Sequence, residues 1–574
     1  MRLIFAYLFG IFIVVASKKS HHAIPTYFHR RYSNGSLIDR QNEREFQSVC
    51  NKDYRPRLSE DVSIRVVPSK SLANKEEVTV SWQIDSPPSK QDWIGLFCPK
   101  TGQPNEVLDY FHITVSSTWK EGYGEFKVFL YNLRTECEFR YYHFDDSALL
   151  AVSETITFKH GANEPLQGHV SMTRNPGEMR VMWVSGTEDT PVVYYGLFEH
   201  AMILKSHGTT RTYNASQMCA FPASSVGFRD PGYIHDVLLQ PLLVNTRYYY
   251  QFGDGKTMSD VYNFTTPLPA GDPTPHMVIT YGDQGVVDSP GSHGTAARII
   301  EEYRDNNIRK VLHNGDISYA MGYAYIWEQW FSLVQPYATL VPYMVTIGNH
   351  EQDHLTGGEK DPSGAGNGFH PIWGNFGADS GGECGVPMYY RFHMADNGHS
   401  IWWYSYDFGL VHYVVMSTEH DYSPGTAQHA WLENDLKAVN RKVTPWVVIT
   451  GHRPMYTSQE QLDEEEVAIN MQKLFEDLLH TYQVDLALWS HVHSYQRTCK
   501  LYRNKCTADG TVHIVVGTAG RPIDLEFFED KPWLRFSSEE FGYGRLWIAN
   551  ATSMKYEFVT NKDRKVIDTY WFEK

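Results

Sequence analysis

Between residues 276 and 520 the chain passes through seven short apolar runs: HMVITYGDQG, IRKVLHNGD, VPYMVTIGNHE, LVHYVVMSTEH, WVVITGHRPMY, VDLALWSHVH and TVHIVVGTAG. Each run is too short for a helix and too continuous for a strand with one face in water, so each reads as a sheet strand covered on both faces. Helical patterns separate them. TAARIIEEY sets Ala296, Ile299, Ile300 and Tyr303 on one face, and DEEEVAINMQKLFEDLL carries a stripe of Val467, Met471, Leu474 and Leu478 behind a capping box of Asp463 and Glu466. This alternation predicts an α/β catalytic region over 271–500. Later strands (YGRLWIAN, MKYEFVT, KVIDTYWF) over 501–574 return to close a sheet edge.

Upstream the period changes to two. VTVSWQI alternates through Val78, Val80, Trp82 and Ile84 before the turn-prone DSPPSK. A second block holds MRVMWVS, VVYYG and TRYYYQFGD and ends at the linker TTPLPAGDPTP. These predict two β-sandwiches, over 58–160 and 161–270, whose Trp and Tyr residues fill cores and carry no chemistry.

Residues 1–17 open with Met1 and Arg2 and an apolar run from Leu3 to Ala16, which is too short to span a bilayer and predicts a signal peptide cleaved near Ala16–Ser17. Residues 18–57 read as an irregular polar leader. Export, to an extracellular or lysosomal/vacuolar setting, gives the seven cysteines an oxidising environment. Cys499 and Cys506, bracketing TCKLYRNKC, are the favoured disulfide. The odd count leaves one thiol free or paired between chains, which allows a homodimer. Asn34, Asn214, Asn263 and Asn550 head glycosylation sequons, although chance supplies several in a chain of this length. A formal charge of −16 excludes a nucleic-acid groove, but a small phosphorylated ligand is allowed where bound cations dominate the local field.

The polar residues of the α/β region gather in one kind of place. Asp283, Asp316, Asn349, His452, His491 and His493 each stand just past an apolar strand, and in an α/β sheet those ends share one crevice. A lone Asp or His there is usually a cap or a turn residue. A set of Asp, Asp, Asn, His and His-x-His is instead a mixed oxygen and imidazole donor set for metals. His491 and His493 would point the same way in an extended segment but can diverge in a loop. Asp316, with two oxygens, can bridge.

GDQG, GDISYA, GNHE, GHRPMY and SHVHSYQR, in this order, resemble the metallophosphoesterase signature in its purple acid phosphatase form. PGEMRVMWVSG and YIHDVLLQPLLVNTRYYYQFGD extend the resemblance upstream, and SPPSKQDWIGLFCP is similar to the extra N-terminal domain of long family members. The resemblance implies a catalytic β-sandwich flanked by helices, with βαβαβ motifs, preceded by fibronectin-III-like sandwiches. It implies that Asp283, Tyr319 and His493 bind Fe(III), that Asn349, His452 and His491 bind a divalent Zn, Mn or Fe(II), and that Asp316 bridges. It further implies hydroxide attack on phosphorus, with His350 as the catalytic or substrate contact. Asn349 is a further substrate candidate, and Arg453, Glu419 and His420 are candidates either for substrate contact or for supporting the ligands from behind.

Generic superfamily members carry Asp-x-His where this chain has Asp283-Gln284-Gly285, and an Asp where this chain has Tyr319. The phenol therefore replaces the missing ligand. Two other positions depart from the family: Ser490 stands where many members have Gly, and Gln461-Leu462 replaces a histidine pair of some plant members. The expected activity is acid phosphomonoesterase. Alternatives are a nucleotide pyrophosphatase/phosphodiesterase with the same site, and a β-sandwich binding protein with a vestigial one.

Overall fold

The computed structural model describes residues 54–352, 360–364, 379–459 and 462–574. The signal peptide, most of the leader, Cys50, Asn34, Gln461 and the side chains of Leu462 and Asp463 lie outside the described residues.

The first sandwich packs a three-stranded sheet (Val62–Val67, Glu76–Ile84, Tyr123–Leu130) against a five-stranded one that includes Trp93–Phe97 and Glu138–His143. Val78, Val80, Trp82 and Ile84 all face inward, as their alternation requires. This sheet starts earlier than composition suggests. Arg55–Pro56 pairs in parallel with Ala148 and Leu149, and Tyr54 is buried, its hydroxyl accepting from the Trp93 indole at 3.1 Å. A polar segment thus enters the fold because one aromatic side chain anchors it.

The second sandwich is four strands on four, with Trp183, Tyr250 and Phe252 in its core. Cys98–Cys137 closes the first sandwich and Cys219–Cys384 ties the second to the catalytic region. Cys499–Cys506 forms as expected and closes a hairpin. A buried carboxylate also joins the three parts. Glu328 accepts from Arg134 of the first sandwich (2.8 Å) and Gln167 of the second, with Arg391 at 3.6 Å.

The catalytic region is built on two facing sheets. One runs Tyr343–Val345, Lys310–His313, His276–Tyr281, Gly542–Ile548, Ser553–Thr560, Val566–Glu573. Its first three strands are parallel and the returning C-terminal strands antiparallel. The other is eight-stranded, with Val411–Val415, Trp446–Thr450, Leu486–Trp489 and Thr511–Val516 parallel in that order. Helices cover the outer faces. α1 (Ser292–Asn306) buries Ala296 and Ile299 and packs on α2 (Ala324–Ala338), which leans on strand Leu166–Ser171 of the second sandwich. α3 (Val386–Arg391) and α4 (Ala427–Ala438) precede α5 (Leu462–Thr481). In α5 the buried stripe is Val467, Met471, Phe475 and Leu479; the expected Leu474 and Leu478 flank it, half-buried. The buried row advances by four residues at every step and so turns slowly around the helix, while the step of three to Leu474 leads toward its edge. No helix among the described residues is long and apolar enough to cross a membrane.

Register sets the crevice. Tyr281 pairs with His313 and His313 with Val345, so the loops carrying Asp283, Asp316 and Asn349 leave one sheet at the same level. Val415, Thr450 and Leu488 are level in the facing sheet, which brings His452, His491 and His493 to the opposite wall.

Candidate metal centre

The donor atoms separate into two sets. In the first, the Tyr319 hydroxyl lies 2.9 Å from Asp283 Oδ1 and 3.0 Å from His493 Nε2, and His493 Nε2 is 3.4 Å from Asp283 Oδ1. In the second, Asn349 Oδ1 lies 2.9 Å from both His452 Nε2 and His491 Nδ1, which are 3.2 Å from each other. Asp316 Oδ1 reaches His452 Nε2 at 3.2 Å, and Asp316, His452 and His491 offer donor atoms all within 4.8 Å. His491 and His493 therefore diverge, one to each set. The left-handed backbone at His491 (φ 68°) turns the segment between them.

Left-handed φ recurs through the site: Asp283 at 59°, Asp316 at 51° and Tyr319 at 53°. Non-glycine residues held there cost about 1–3 kcal/mol each and persist only where neighbours over-determine them. The neighbours are visible. Glu351 accepts from the backbone N–H of Asp316 (2.9 Å), Ile317 (2.7 Å) and Gly348 (3.1 Å), clamping two donor loops with one carboxylate. Asp283 Oδ2 accepts from His491 N–H at 2.9 Å, joining the two walls.

Second contacts set the ring orientations. His452 Nδ1 faces the Asn314 carbonyl (2.9 Å) and His493 Nδ1 the Pro522 carbonyl (3.0 Å), so in each ring Nε2 is the atom aimed at its set. Asn349 Nδ2 donates to Asp379 Oδ2 at 3.0 Å, which turns its oxygen toward the histidines. These are outward-facing lone pairs in two tight sets, and they fit two cations.

The electrostatics agree with that fit. Burial alone would lower the His452 imidazole, but Asp316, Asp283 and Glu419 raise it to about 10. Burial likewise opposes His493, which Asp524 and Asp283 raise to about 9. Burial, together with Asp283 and Asp316, holds the Tyr319 phenol well above its ordinary range. The carboxylates thus gather a proton onto His452, His493 and Tyr319, which is the field a cation would meet.

His350 donates its backbone N–H to Asp316 Oδ1 (3.0 Å), directs Nδ1 at the Asp379 carbonyl (3.1 Å) and packs at a 41° tilt on the Tyr319 ring with centroids 4.3 Å apart. Burial pulls it down to about 4. Arg453 is placed differently from the substrate contact expected of it. It is buried behind His491, its Nη1 3.1 Å from that ring and its Nε 3.0 Å from Glu419 Oε1. His420 is also buried, with Nδ1 2.7 Å from Ser417 Oγ and its ring against Trp402 and Trp403. The Ser490 hydroxyl has no hydrogen-bond partner among the described residues and packs where any side chain on Gly282 would collide with it. Of the sequons, Asn214 and Asn550 are exposed, whereas Asn263 is half-buried and accepts from the Tyr303 hydroxyl at 2.9 Å.

Sequence reasoning gave no role to Glu351, Asp379, Asp524 and Arg521. Glu351 was visible as the last letter of GNHE, next to two candidate residues. Arg521 follows TVHIVVGTAG, a strand end of the crevice with no Asp, Asn or His before it.

Comparison with known proteins gives four family-model matches. Residues 165–266 match the purple acid phosphatase N-terminal domain, 245–495 calcineurin-like phosphoesterase, and 510–569 iron/zinc purple acid phosphatase-like protein C. Residues 58–163 match the N-terminal domain of E3 ubiquitin-protein ligase HECW1 and 2. "Probable inactive purple acid phosphatase 9" of Arabidopsis thaliana is 33% identical, over 88% of this chain and 85% of its own. "Nucleotide pyrophosphatase/phosphodiesterase" of Hordeum vulgare is 32% identical, over 58% of this chain and 93% of its own. The solved structure of purple acid phosphatase PPD1 from yellow lupin (Lupinus luteus) superposes with a TM-score of 0.79 at 29% identity, covering 90% of this chain and 96% of that one.

Proposed function

Because the chain belongs to the purple acid phosphatase family, we propose that it hydrolyses phosphate monoesters at a centre of Fe(III) and a divalent Zn, Mn or Fe(II). The observation that carries this reading is the division of seven donors into two sets, Asp283, Tyr319 and His493 in one and Asn349, His452, His491 and Asp316 in the other, joined by the His491 N–H to Asp283 Oδ2 bond; Asp316 would bridge. Asp283, Tyr319 and His493 would hold the ferric ion, and Asn349, His452 and His491 the divalent one. Bound there, two cations supply Lewis acidity toward a phosphoryl oxygen and a lowered pKa for water.

The chain's own residues support this. His350 is held by Asp379 and Asp316 with Nε2 3.7 Å from Asp316 Oδ2, at the shared edge of both sets, where it can hydrogen-bond a phosphoryl oxygen. Burial of every donor excludes bulk water, so dipoles aimed at the phosphate act at low dielectric. The "probable inactive" name of the Arabidopsis relative favours a second reading, in which the centre forms but does not turn over.

One experiment separates the readings. Purified protein is assayed for iron, visible absorption and phosphomonoester hydrolysis, alongside Tyr319→Phe and Asp316→Ala. The proposal expects a coloured, active enzyme, loss of colour in the first variant and loss of hydrolysis in the second. Colour without hydrolysis supports the second reading, and a colourless active enzyme refutes the ferric assignment of Tyr319.

A further inference from the structure

Residues 517–524, GTAGRPID, follow the strand Thr511–Val516 and supply no donor atom to either set. Their hydrogen bonds nevertheless end on the first set. Ala519 N–H donates to the Gly282 carbonyl at 3.2 Å and Arg521 N–H to the Asp283 carbonyl at 3.0 Å, so the segment runs alongside the loop that bears the first carboxylate. It then takes hold of His493 at three atoms. The Pro522 carbonyl faces Nδ1 (3.0 Å), Asp524 N–H donates to the His493 carbonyl (3.1 Å), and Asp524 Oδ2 accepts from His493 N–H (2.7 Å). Ring and backbone of one donor residue are thus fixed by two residues of a single short segment. The Tyr319 hydroxyl lies between the side chains so held, 2.9 Å from Asp283 Oδ1 and 3.0 Å from His493 Nε2.

Asp524 makes the shortest of these bonds. Its side chain is largely buried, and a carboxylate accepting from a backbone N–H forms a charge-assisted bond stronger than a neutral one. The His491 N–H is taken in the same way by Asp283 Oδ2 at 2.9 Å. Each histidine of the His-x-His pair is therefore placed by a carboxylate on its own N–H. One of those carboxylates is a donor of the first set, and the other stands outside both sets.

Asp524 is itself braced. Gln459 is buried and donates Nε2 to the carbonyls of Asp524 and Glu526, both at 3.0 Å. Close approach at the other end depends on Gly517, where a Cβ would lie 2.3 Å from the Val492 carbonyl oxygen and 2.8 Å from Asp283 Oδ2. The absence of a side chain there lets the segment pass between the two donor loops.

We infer that GTAGRPID is a clamp for the first donor set and that Asp524 is its positioning residue, fixing Asp283 and His493 where both can reach one cation together with Tyr319. The inference deepens the proposed function and rests on its assignment of those three donors to one ion.

The test uses metal-loaded full-length protein, elemental analysis after timed exposure to EDTA, and the visible absorption band. Asp524→Ala is expected to lose the metal of the first set about 10–100-fold faster than wild type, the range for groups that orient a ligand from behind. That metal should leave ahead of the second, and the band should shift as the neighbours of Tyr319 move. Asp524→Asn keeps an acceptor for the His493 N–H and should recover most of the retention. Gln459→Met removes the brace without touching His493 and should act in the same direction as Asp524→Ala, more weakly. Unchanged release of the first metal in Asp524→Ala would overturn the inference, as would equal acceleration for both metals. Should Asp524→Ala fail to fold, the order of metal loss in Gln459→Met decides by the same criteria. A wild type that holds fewer than two metals would instead overturn the two-cation reading on which the inference rests.

Discussion

Lys310→Met should make the protein more stable, and more so at acidic pH. Lys310 begins the central strand Lys310–His313 and is fully buried between the two catalytic sheets. Its Nζ has no hydrogen-bond partner among the described residues. It faces three rings of the opposite sheet, at 3.2 Å from the Tyr413 centroid, 4.5 Å from Tyr406 and 4.9 Å from Phe408. Burying an unpaired ammonium costs several kcal/mol after relaxation, and a desolvated cation–π contact returns about 2 kcal/mol. Methionine keeps nearly the same length, and such volume-conserving swaps cost under about 1.5 kcal/mol. The balance is a gain of roughly 1–3 kcal/mol, or about 2–6 °C in the melting of the catalytic region.

The pH dependence follows from the direction of the shift. Burial holds the Lys310 amine well below its usual 10.5. Above that pH both folded and unfolded chains carry a neutral amine, and no penalty arises. As pH falls below it, the unfolded chain takes up a proton that the folded one resists, so the wild type loses stability until the folded pKa is passed. The advantage of the methionine variant should be largest near pH 5 and shrink toward pH 10.5. Thermal unfolding across that range measures it. A variant less stable than wild type at pH 5, or an advantage independent of pH, would refute the reasoning.

Two further outcomes test other parts of the fold. Burial lowers His412, but hydrogen bonds to Asp407 (2.7 Å) and Asp435 (3.0 Å) outweigh it and raise it to about 9. Its contribution, about 3 kcal/mol, should be complete below pH 6.5 and vanish as pH rises through 9, so His412→Gln should destabilise strongly at pH 6 and little at pH 10 in denaturant titrations. Glu351→Gln leaves one oxygen for three backbone N–H groups and turns an amide donor toward them; the variant should be less stable by about 1.5–3 kcal/mol and lose metal faster to a chelator, followed by elemental analysis.

What could be read from sequence was what is written locally. An apolar run ending in Gly-Asp or Gly-Asn-His states both a strand and the place where it stops, and parallel pairing then brings such ends level without further information. The alternation in VTVSWQI is equally local. The partnering of Cys219 with Cys384 spans 165 residues and has no local signature. Nor does the three-way junction at Glu328, or the entry of Tyr54 into a core from a segment whose composition reads as leader. Arg453 was open between supporting the ligands and touching substrate, and its side chain lies behind His491 against Glu419, because a buried guanidinium settles where a carboxylate is.

Gly285 is where local and distant information meet. Sequence shows only that a histidine is missing there. The structure shows that the vacancy is partly steric: a Cβ at 285 would lie 2.4 Å from Ser289 Oγ and 3.1 Å from Tyr319 Cδ2, and Gly285 itself sits at φ 59°, where glycine is favoured. The glycine and the tyrosine are therefore linked in physical terms. Restoring a histidine at 285 would have to move the Ser289 hydroxyl, shift the Tyr319 ring by a few tenths of an ångström and strain the backbone. The phenol that reaches Asp283 and His493 thus lies against a position where a side chain is unwelcome on two counts, space and φ.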